Sequence, residues 1–577
     1  MNLENTLPLG IWDFLAFGAF FLVLSLIGYL SGRNERSGLS EYFLAGRRLP
    51  WYVVGSSFIA SNISSEHFIG MIGAAFIYGA CVSMSCWGNI FSFSFLIWFF
   101  IPFLLASRVF TTPEFLERRF NTALREIFAV VTVISNIVAF LAAVLYGGAL
   151  ALEILFGWPF WFAIITLGIV AGTWAIYGGL SSVAWTDFFT VIVMISGGII
   201  VTLLGLDMLA GDTGSLIEGF RIMIDRNLAT EGAWADAVAG TSQRLAHTDT
   251  YNRLAVIQPA THQVTPWPSL IFGVFSVSIW YNVLNQFMIQ RVLGAKNMYH
   301  ARMGIVLAGF MQVMLPLIIV VPGLIMFACY PETLLLPWRE VRPEADKAYV
   351  NLVQMLVPMG LRGLILASLF GAIQSTVNSV LNSTATIITL DIYKRLIRPA
   401  ATDRHLVRVG IGTSITVLII AIGLGGMIGR LGASLFVYIQ TLYAFFAPPF
   451  AAIFLLGILW RRINGAGATI SVLAGFVFYI ALKLYVVFTP SHPAWLEPYA
   501  IQAALTWSFC MIVTITVSLM TAPPPPERIT DTLVFNWKKM NIFSELGTAW
   551  YTSVVFWWCM FALAIITLVV VFSGLVM

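Results

Sequence analysis

An all-helical protein that crosses a membrane about fourteen times is what this amino-acid sequence predicts, on three observations. Of 577 residues, 59% are hydrophobic and only 10% charged, against about 25% charged in soluble domains. The mean hydropathy is +0.89 and 14% of residues are aromatic, so apolar surface must face lipid as well as a core. Apolar runs of about 20 residues, the length that spans ~30 Å of hydrocarbon at 1.5 Å per residue, recur from end to end. These features exclude a soluble multidomain enzyme and a disordered chain. A net charge of only +4 excludes a nucleic-acid binder as well. Cys81, Cys86, Cys329, Cys510 and Cys559 stand in apolar runs without C-x-x-C spacing. They support neither a disulfide framework nor a metal cluster.

In order, the expected spans are 11–31, 51–78, 80–107, 127–156, 158–178, 183–209, 267–290, 303–329, 349–390, 407–428, 432–459, 465–488, 498–521 and 550–576. The stretch 349–390 is long enough to hold a bend or an extension beyond the membrane. No secretory signal is expected, because Glu4 and Asp13 precede the first apolar run and Arg33 and Arg36 follow it. Of the 31 Lys and Arg, 21 fall in the loops on one side, including Arg33, Arg36, Arg108, Arg119, Arg291, Arg302, Lys538 and Lys539. Eight fall on the other, four of them in 210–266, and Arg362 and Lys483 lie inside spans. Because basic loops stay in the cytoplasm, this predicts both termini outside and 210–266 as one external loop. Pro523 to Pro526 predict a stiff linker before the last helix.

Two polar clusters interrupt the apolar pattern. S-S-F-I-A-S-N-I-S-S-E-H-F-I-G-M, from Ser56 to Met71, sets Asn62, Ser64, Ser65, Glu66 and His67 at mid-span. Asn and Ser compete for backbone hydrogen bonds, so the helix is expected to break here and free carbonyls such as those of Ala60 and Ile63 for a cation. A kinked helix with packed hydroxyls is the alternative. G-A-I-Q-S-T-V-N-S-V-L-N-S-T-A-T, from Gly371 to Thr386, puts Ala372, Ser375, Thr376, Ser379 and Thr386 on one helix face. Ser375 and Thr376 offer two hard oxygen ligands suited to Na⁺; close packing through small residues is the alternative.

Isolated polar residues say less. Asp187, in Y-G-G-L-S-S-V-A-W-T-D, reads either as an ion-release carboxylate or as an interfacial acid. Glu153 reads as a solvated helix end. His67 donates either to a solute hydroxyl or to a neighbouring carbonyl, and Gln440, near mid-span, needs a partner for its amide. No P-loop, H-E-x-x-H, nucleophile elbow or suitably spaced carboxylate pair occurs. An enzyme and an ATP-driven pump are therefore not expected, which leaves an ion gradient as the energy source.

Several segments together resemble the sodium:solute symporter family, in particular its sodium/glucose cotransporter branch. They are A-S-N-I-S-S-E-H-F-I-G, T-T-P-E-F-L-E-R-R-F, Y-G-G-L-S-S-V-A-W-T-D, N-Q-F-M-I-Q-R-V-L-G-A-K, L-N-S-T-A-T-I-I-T-L-D-I-Y-K, and Y-I-Q followed by P-P-F-A-A-I-F-L-L-G-I-L-W-R-R. The resemblance implies a leucine-transporter-type core of two five-helix inverted repeats, at 51–209 and 267–459. An extra helix and loop (1–50) precede it, the 210–266 loop divides it, and extra helices (460–577) follow. It implies a Na⁺ site at Ala60, Ile63, Ala372, Ser375 and Thr376. Asp187 matches the acid of ion release or of a further sodium site, where Asn378 departs from the hydroxyl pattern and Ser379 keeps it. His67, Gln440 and the gate aromatic Tyr281 match the sugar-binding positions. Cys86 stands where sugar carriers have glutamate, Ser278 where the bacterial carrier has asparagine, Gln312 where they have lysine, and Asn282 where tryptophan is expected. Asn89, one turn after Cys86, offers a compensating amide.

The expected function is sodium-coupled import of a small polar solute, a sugar or polyol first, by alternating access in a bacterial inner membrane. A symporter of amino-acid-like or acidic solutes, including the sialic-acid type, and a non-transporting sensor or channel are the alternatives. Na⁺, the solute and the bilayer are the expected partners, without nucleic acid or an organic cofactor. The number of copies is not readable from the sequence.

Overall fold

Asparagine and serine in the middle of an apolar helix compete for its backbone hydrogen bonds, and the helix that starts at Trp51 ends where they cluster. The computed structural model describes residues 9–33, 38–107, 109–248, 251–428, 435–536 and 544–574. Glu4, Arg36, Arg108, Lys538 and Lys539, which entered the charge reading, lie outside the described residues. Within them the chain forms helices and connections, with two isolated bridges, Leu49–Ala295 and Gln258–Pro266, and no strand.

In chain order the principal helices, leaving aside the short helix Leu39–Leu44, are α1 (Ile11–Gly32), α2 (Trp51–Asn62), α3 (66–78), α4 (84–107), α5 (Thr112–Arg119) and α6 (Thr122–Phe156). Next come α7 (160–178) and α8 (Gly179–Ala210), continuous except at Gly179. There φ is +58°, and a Cβ would lie 2.4 Å from the Tyr42 carbonyl oxygen, so only glycine serves. The segment expected as one external loop carries two helices, α9 (Leu216–Asn227) and α10 (Gly232–Ala246). Then follow α11 (269–284), α12 (Gln286–Leu293), α13 (Met298–Cys329), α14 (Trp338–Asp346), α15 (Ala348–Leu356) and α16 (Leu361–Ile397). The last five are α17 (Asp403–Ile428), α18 (Leu435–Leu459), α19 (Gly465–Phe488), α20 (Tyr499–Met520) and α21 (Val554–Val571). Eleven helices among the described residues are long and apolar enough to cross a membrane, and 160–173 and 272–284 are shorter apolar ones. The 349–390 span starts late: Pro358 and Gly360 (φ +88°) end α15 and start α16 afresh.

Burial sorts these helices. From Arg362 to Ile387, α16 is buried at every position except Leu364, so it is the central helix, enclosed on all sides. The outer helices do the reverse, exposing Leu22 of α1, Phe488 of α19 and Leu563 of α21 as lipid-facing surface requires. The connections form two faces. One, the loop face, carries α9, α10, α14 and residues 251–268. The other, the basic face, carries α5 and residues 294–297, 460–464, 521–536 and 544–553.

Each face is tied down by buried polar groups. On the loop face, Arg253 is fully buried and donates to the carbonyls of Ile77 (2.8 Å) and Phe76 (2.7 Å), capping the end of α3. On the basic face, Arg119 donates to the carbonyls of Gly457, Trp460 and Ile463 at the end of α18. Arg291, expected in a basic-side loop, and Arg302 are likewise fully buried. A cation near the end of an apolar run cannot be told from a loop charge until its partners are known.

Candidate ion and solute site

The break between α2 and α3 builds the site. Ile63 takes an extended conformation (φ −82°, ψ 122°), so its carbonyl leaves the helical ladder. The Ser64 hydroxyl accepts from the Glu66 amide (3.2 Å) and the Ser64 carbonyl from the His67 amide (3.0 Å), which restarts the helix. The freed Ile63 carbonyl faces α16, where the Thr376 hydroxyl lies 3.5 Å away and also reaches the Ala372 carbonyl (3.2 Å). The Ser375 hydroxyl is buried within reach of the Asp187 carboxylate, and Ala60 is fully enclosed. Ile63, Ala372 and Thr376 are therefore in mutual reach, with Ser375 beside Thr376 in the chain. A buried, oxygen-rich spot fits a hard monovalent cation.

A polar chain continues from there toward the basic face. Ser379 donates to the Ser375 carbonyl (2.6 Å) and pairs with Ser61 (2.9 Å). Arg291 donates to Ser379 and to Ser57 (3.0 Å), and Ser57 donates to Asp187 (2.5 Å). Asp187 lies 3.8 Å from the Arg291 guanidinium, both fully buried. The carboxylate is thus enclosed and paired, in keeping with the cost of an unpaired buried charge. Arg291 and Ser57 are the members that sequence reading missed. Their only signal was polar residues in otherwise apolar helices, and a partner 104 positions away cannot be inferred from the chain alone.

On the loop-face side of the break lies a cavity of about 810 Å³, counting its open mouth. His67, Asn89, Ser278, Tyr281 and Gln440 all line it, with Asn62, Glu66 and Tyr443. Gln312 does not; it is buried on α13 with its amide oxygen unpartnered. The Asn89 amide is engaged, donating to the Ser85 carbonyl (3.1 Å) and accepting from Asn282 (2.8 Å). Ser278 donates to the Phe275 carbonyl (3.2 Å). His67 Nδ1 and Asn62 Nδ2 are buried and unpartnered, as groups awaiting a polar ligand would be.

Aromatic rings close the cavity toward the basic face. Tyr281 packs 5.5 Å from Tyr443, 5.7 Å from Phe140 and 5.8 Å from Phe287. This floor sits on a second break that the sequence reading did not anticipate. Asn285 (φ −65°, ψ 125°) separates α11 from α12, and its side chain amide is buried without partners. The polar run Asn282, Asn285 and Gln286 within one span was the available signal. The roof comes from Val264, Thr265, Tyr499 and Ala500.

This arrangement has counterparts in known proteins. Residues 42–475 match the model of the sodium:solute symporter family. A sodium/glucose cotransporter of Vibrio parahaemolyticus is 33% identical over 556 residues, covering 94% of this chain and 96% of that one. A sodium/myo-inositol cotransporter of Mus musculus is 32% identical over 565 residues, covering 92% and 76%. In fold, the chain resembles a Na⁺-coupled sialic acid symporter in a substrate-bound outward-open state. The TM-score is 0.71 at 18% identity, covering 89% of this chain and 99% of that one. Matched over most of its length by both the family model and full-length relatives, the chain belongs to the sodium:solute symporter family and is a transporter, not an enzyme.

Proposed function

We propose that this protein imports a sugar or polyol together with Na⁺, by alternating access across a bacterial inner membrane with its N-terminus outside. The observation that carries the reading is the Ile63 break. It gives one side of the broken helix to a cation-sized cluster of oxygens and the other to a polar cavity, so that ion and solute share one moving element. Na⁺ would be held by the carbonyls of Ala60, Ile63 and Ala372 and the hydroxyls of Ser375 and Thr376, with Asp187 on its exit path. Joining α2–α3 to α16, the ion favours the state in which the cavity opens outward. Its entry down ~100 mV contributes about 2.3 kcal/mol per charge.

The same reading takes fourteen spans, arranged as two inverted halves at 51–209 and 267–459. Breaks at Ile63 and Asn285, each in the first helix of its half, support it, since inverted repeats place discontinuous helices in corresponding positions. The names of the relatives, a glucose and a myo-inositol carrier, favour hydroxyl-rich solutes. Na⁺-dependent uptake of hexoses, polyols, sugar acids and amino acids into proteoliposomes tests this, with counterflow of labelled solute to separate a carrier from a sensor. Uptake of amino acids alone, or solute binding without counterflow, would reject it.

A further inference from the structure

Arg362, the arginine that the sequence sets inside a span, lies at the start of the central helix α16 and meets an acid from outside both proposed halves. The Asp13 carboxylate, at the start of α1, accepts from the amides of Gly360 (2.8 Å) and Gly363 (3.0 Å) and from the Arg362 guanidinium (2.9 Å). A further partner, the Gly10 amide (2.9 Å), comes from the residue before α1, and both charged side chains are buried. The helices touch backbone to backbone there, since a Cβ at Gly363 would lie 2.1 Å from the Asp13 carbonyl oxygen. Farther along, Phe20 lies against Gly371, where a Cβ would meet its ring at 2.8 Å, and Phe17 packs edge-on to Phe370 (5.7 Å). Gly371 precedes Ala372, the first α16 residue of the proposed ion site. α1 is also joined to α8, the helix of Asp187: Phe20 stacks on Phe189 at 5.4 Å, and Ser182 donates to the Gly28 carbonyl (3.0 Å).

We propose that Asp13 and Phe20 of α1 are positioning residues for Na⁺ binding: they fix α16 along its axis and so hold Ser375 and Thr376 in register with the Ile63 carbonyl. A hard cation accepts oxygens only within a few tenths of an ångström. Apolar packing is non-directional and lets an enclosed helix slide, whereas hydrogen bonds to amides at its start set its axial position. The helix carries that setting over the roughly 20 Å from Arg362 to Ser375. The polar ties of α16 to Ser61 and Arg291 lie beyond Ser375, toward the basic face, so Asp13 anchors the other half. The inference rests on the proposed Na⁺ site and adds what holds it in register.

Binding of radioactive Na⁺ to the purified protein at constant ionic strength tests it, with Thr376→Ala as the reference for a lost ligand. Asp13→Ala and Phe20→Ala should each weaken Na⁺ binding about fivefold, as a lost ligand would, while the amount bound at saturation per folded protein stays unchanged. Asp13→Asn, which keeps an acceptor for the Gly360 and Gly363 amides, should weaken it less than Asp13→Ala. Leu22→Ala, which truncates a lipid-exposed side chain of the same helix, should leave it unchanged. A purely structural role for α1 would lower the yield of folded protein and leave Na⁺ affinity intact in the molecules that remain folded, a result that overturns the inference. Should Asp13→Ala fail to fold, Asp13→Asn and Phe20→Ala decide. Weaker Na⁺ binding in Thr376→Ala alone, with the α1 variants at wild-type affinity, overturns the inference while the ion-site reading stands. Unchanged Na⁺ affinity in Thr376→Ala overturns the ion-site reading and this inference with it.

Discussion

At the scale of single residues, the proposed ion site turns on two adjacent buried hydroxyls. The Thr376 hydroxyl has only long contacts, 3.5 Å to the Ile63 carbonyl and 3.2 Å to that of Ala372, and the Ser375 hydroxyl lies within reach of the Asp187 carboxylate. Replacing either by alanine removes one oxygen that water cannot supply in so closed a place. Ser375→Ala and Thr376→Ala are each expected to raise the Na⁺ concentration for half-maximal uptake by about fivefold, corresponding to roughly 1 kcal/mol per ligand. An unchanged Na⁺ dependence in the double variant would mean the ion binds elsewhere. These two residues stood out in the sequence as adjacent hydroxyls on one face of an apolar helix, a pattern that close packing through small residues also produces. The Asp187–Arg291 pair did not. Each partner taken singly resembles an interfacial charge, and only the fold brings them to 3.8 Å. Gln312 shows the converse: resemblance placed it with the solute residues, but its side chain lies outside the cavity.

At the scale of elements, two short connections hold the moving parts, and both carry titrating groups. On the basic face, burial works upward on Glu117, but the Arg125 ion pair (2.6 Å), the Thr122 hydroxyl and Arg395 outweigh it and hold the carboxyl below its usual range. A carboxyl lowered by folding contributes stability above its unfolded pKa and loses it as pH falls through the folded one. Glu117→Gln should therefore lower the melting temperature at neutral pH, by an amount equivalent to about 1 kcal/mol or less. The gap to wild type should shrink in acid; a gap that widens in acid would contradict the pairing. On the loop face, His262 Nδ1 accepts from the amides of Val264 (3.2 Å) and Thr265 (3.0 Å), two of the roof residues. Its Nε2–H is then left to donate to Tyr251 (2.8 Å), which donates to the Tyr78 carbonyl (2.5 Å). Burial pushes the imidazole down to about 3. A depressed histidine favours folding above its unfolded pKa of about 6.5, and that contribution falls by roughly 1 kcal/mol per pH unit between there and 3. Acid should therefore destabilise wild type more steeply than His262→Phe in melting curves recorded across pH; parallel curves would show that His262 is not the neutral anchor of the roof. The His262 anchor was not legible beforehand, because the 210–266 segment reads as polar loop and its burial against α3 and α13 is a property of the fold.

At the scale of the whole molecule, charge bias is the physical argument for which face is outside. The basic side carries 21 Lys and Arg against eight. Arg119, Arg291 and Arg302 on that side and Arg253 on the other are fully buried, yet discounting all four leaves the bias intact. Basic segments resist translocation, so the loop face is expected to be external, and with it the roof of the cavity formed by Val264, Thr265, Tyr499 and Ala500. The closed aromatic floor at Tyr281 and Tyr443 then faces the cytoplasm, and solute enters from outside. Cysteine labelling of intact cells with a reagent that cannot cross membranes tests this directly. Ile217, 83% exposed on α9, and Ala400, exposed between α16 and α17, are suitable sites on opposite faces. Of the native cysteines, Cys81, Cys86 and Cys510 are buried, Cys329 is partly so and Cys559 is exposed within α21, so a variant lacking all five provides the clean background. Ile217→Cys should label in intact cells and Ala400→Cys only after permeabilisation. The reverse pattern would place the cavity mouth inside and defeat the orientation, while the inward Na⁺ gradient would still drive coupled import.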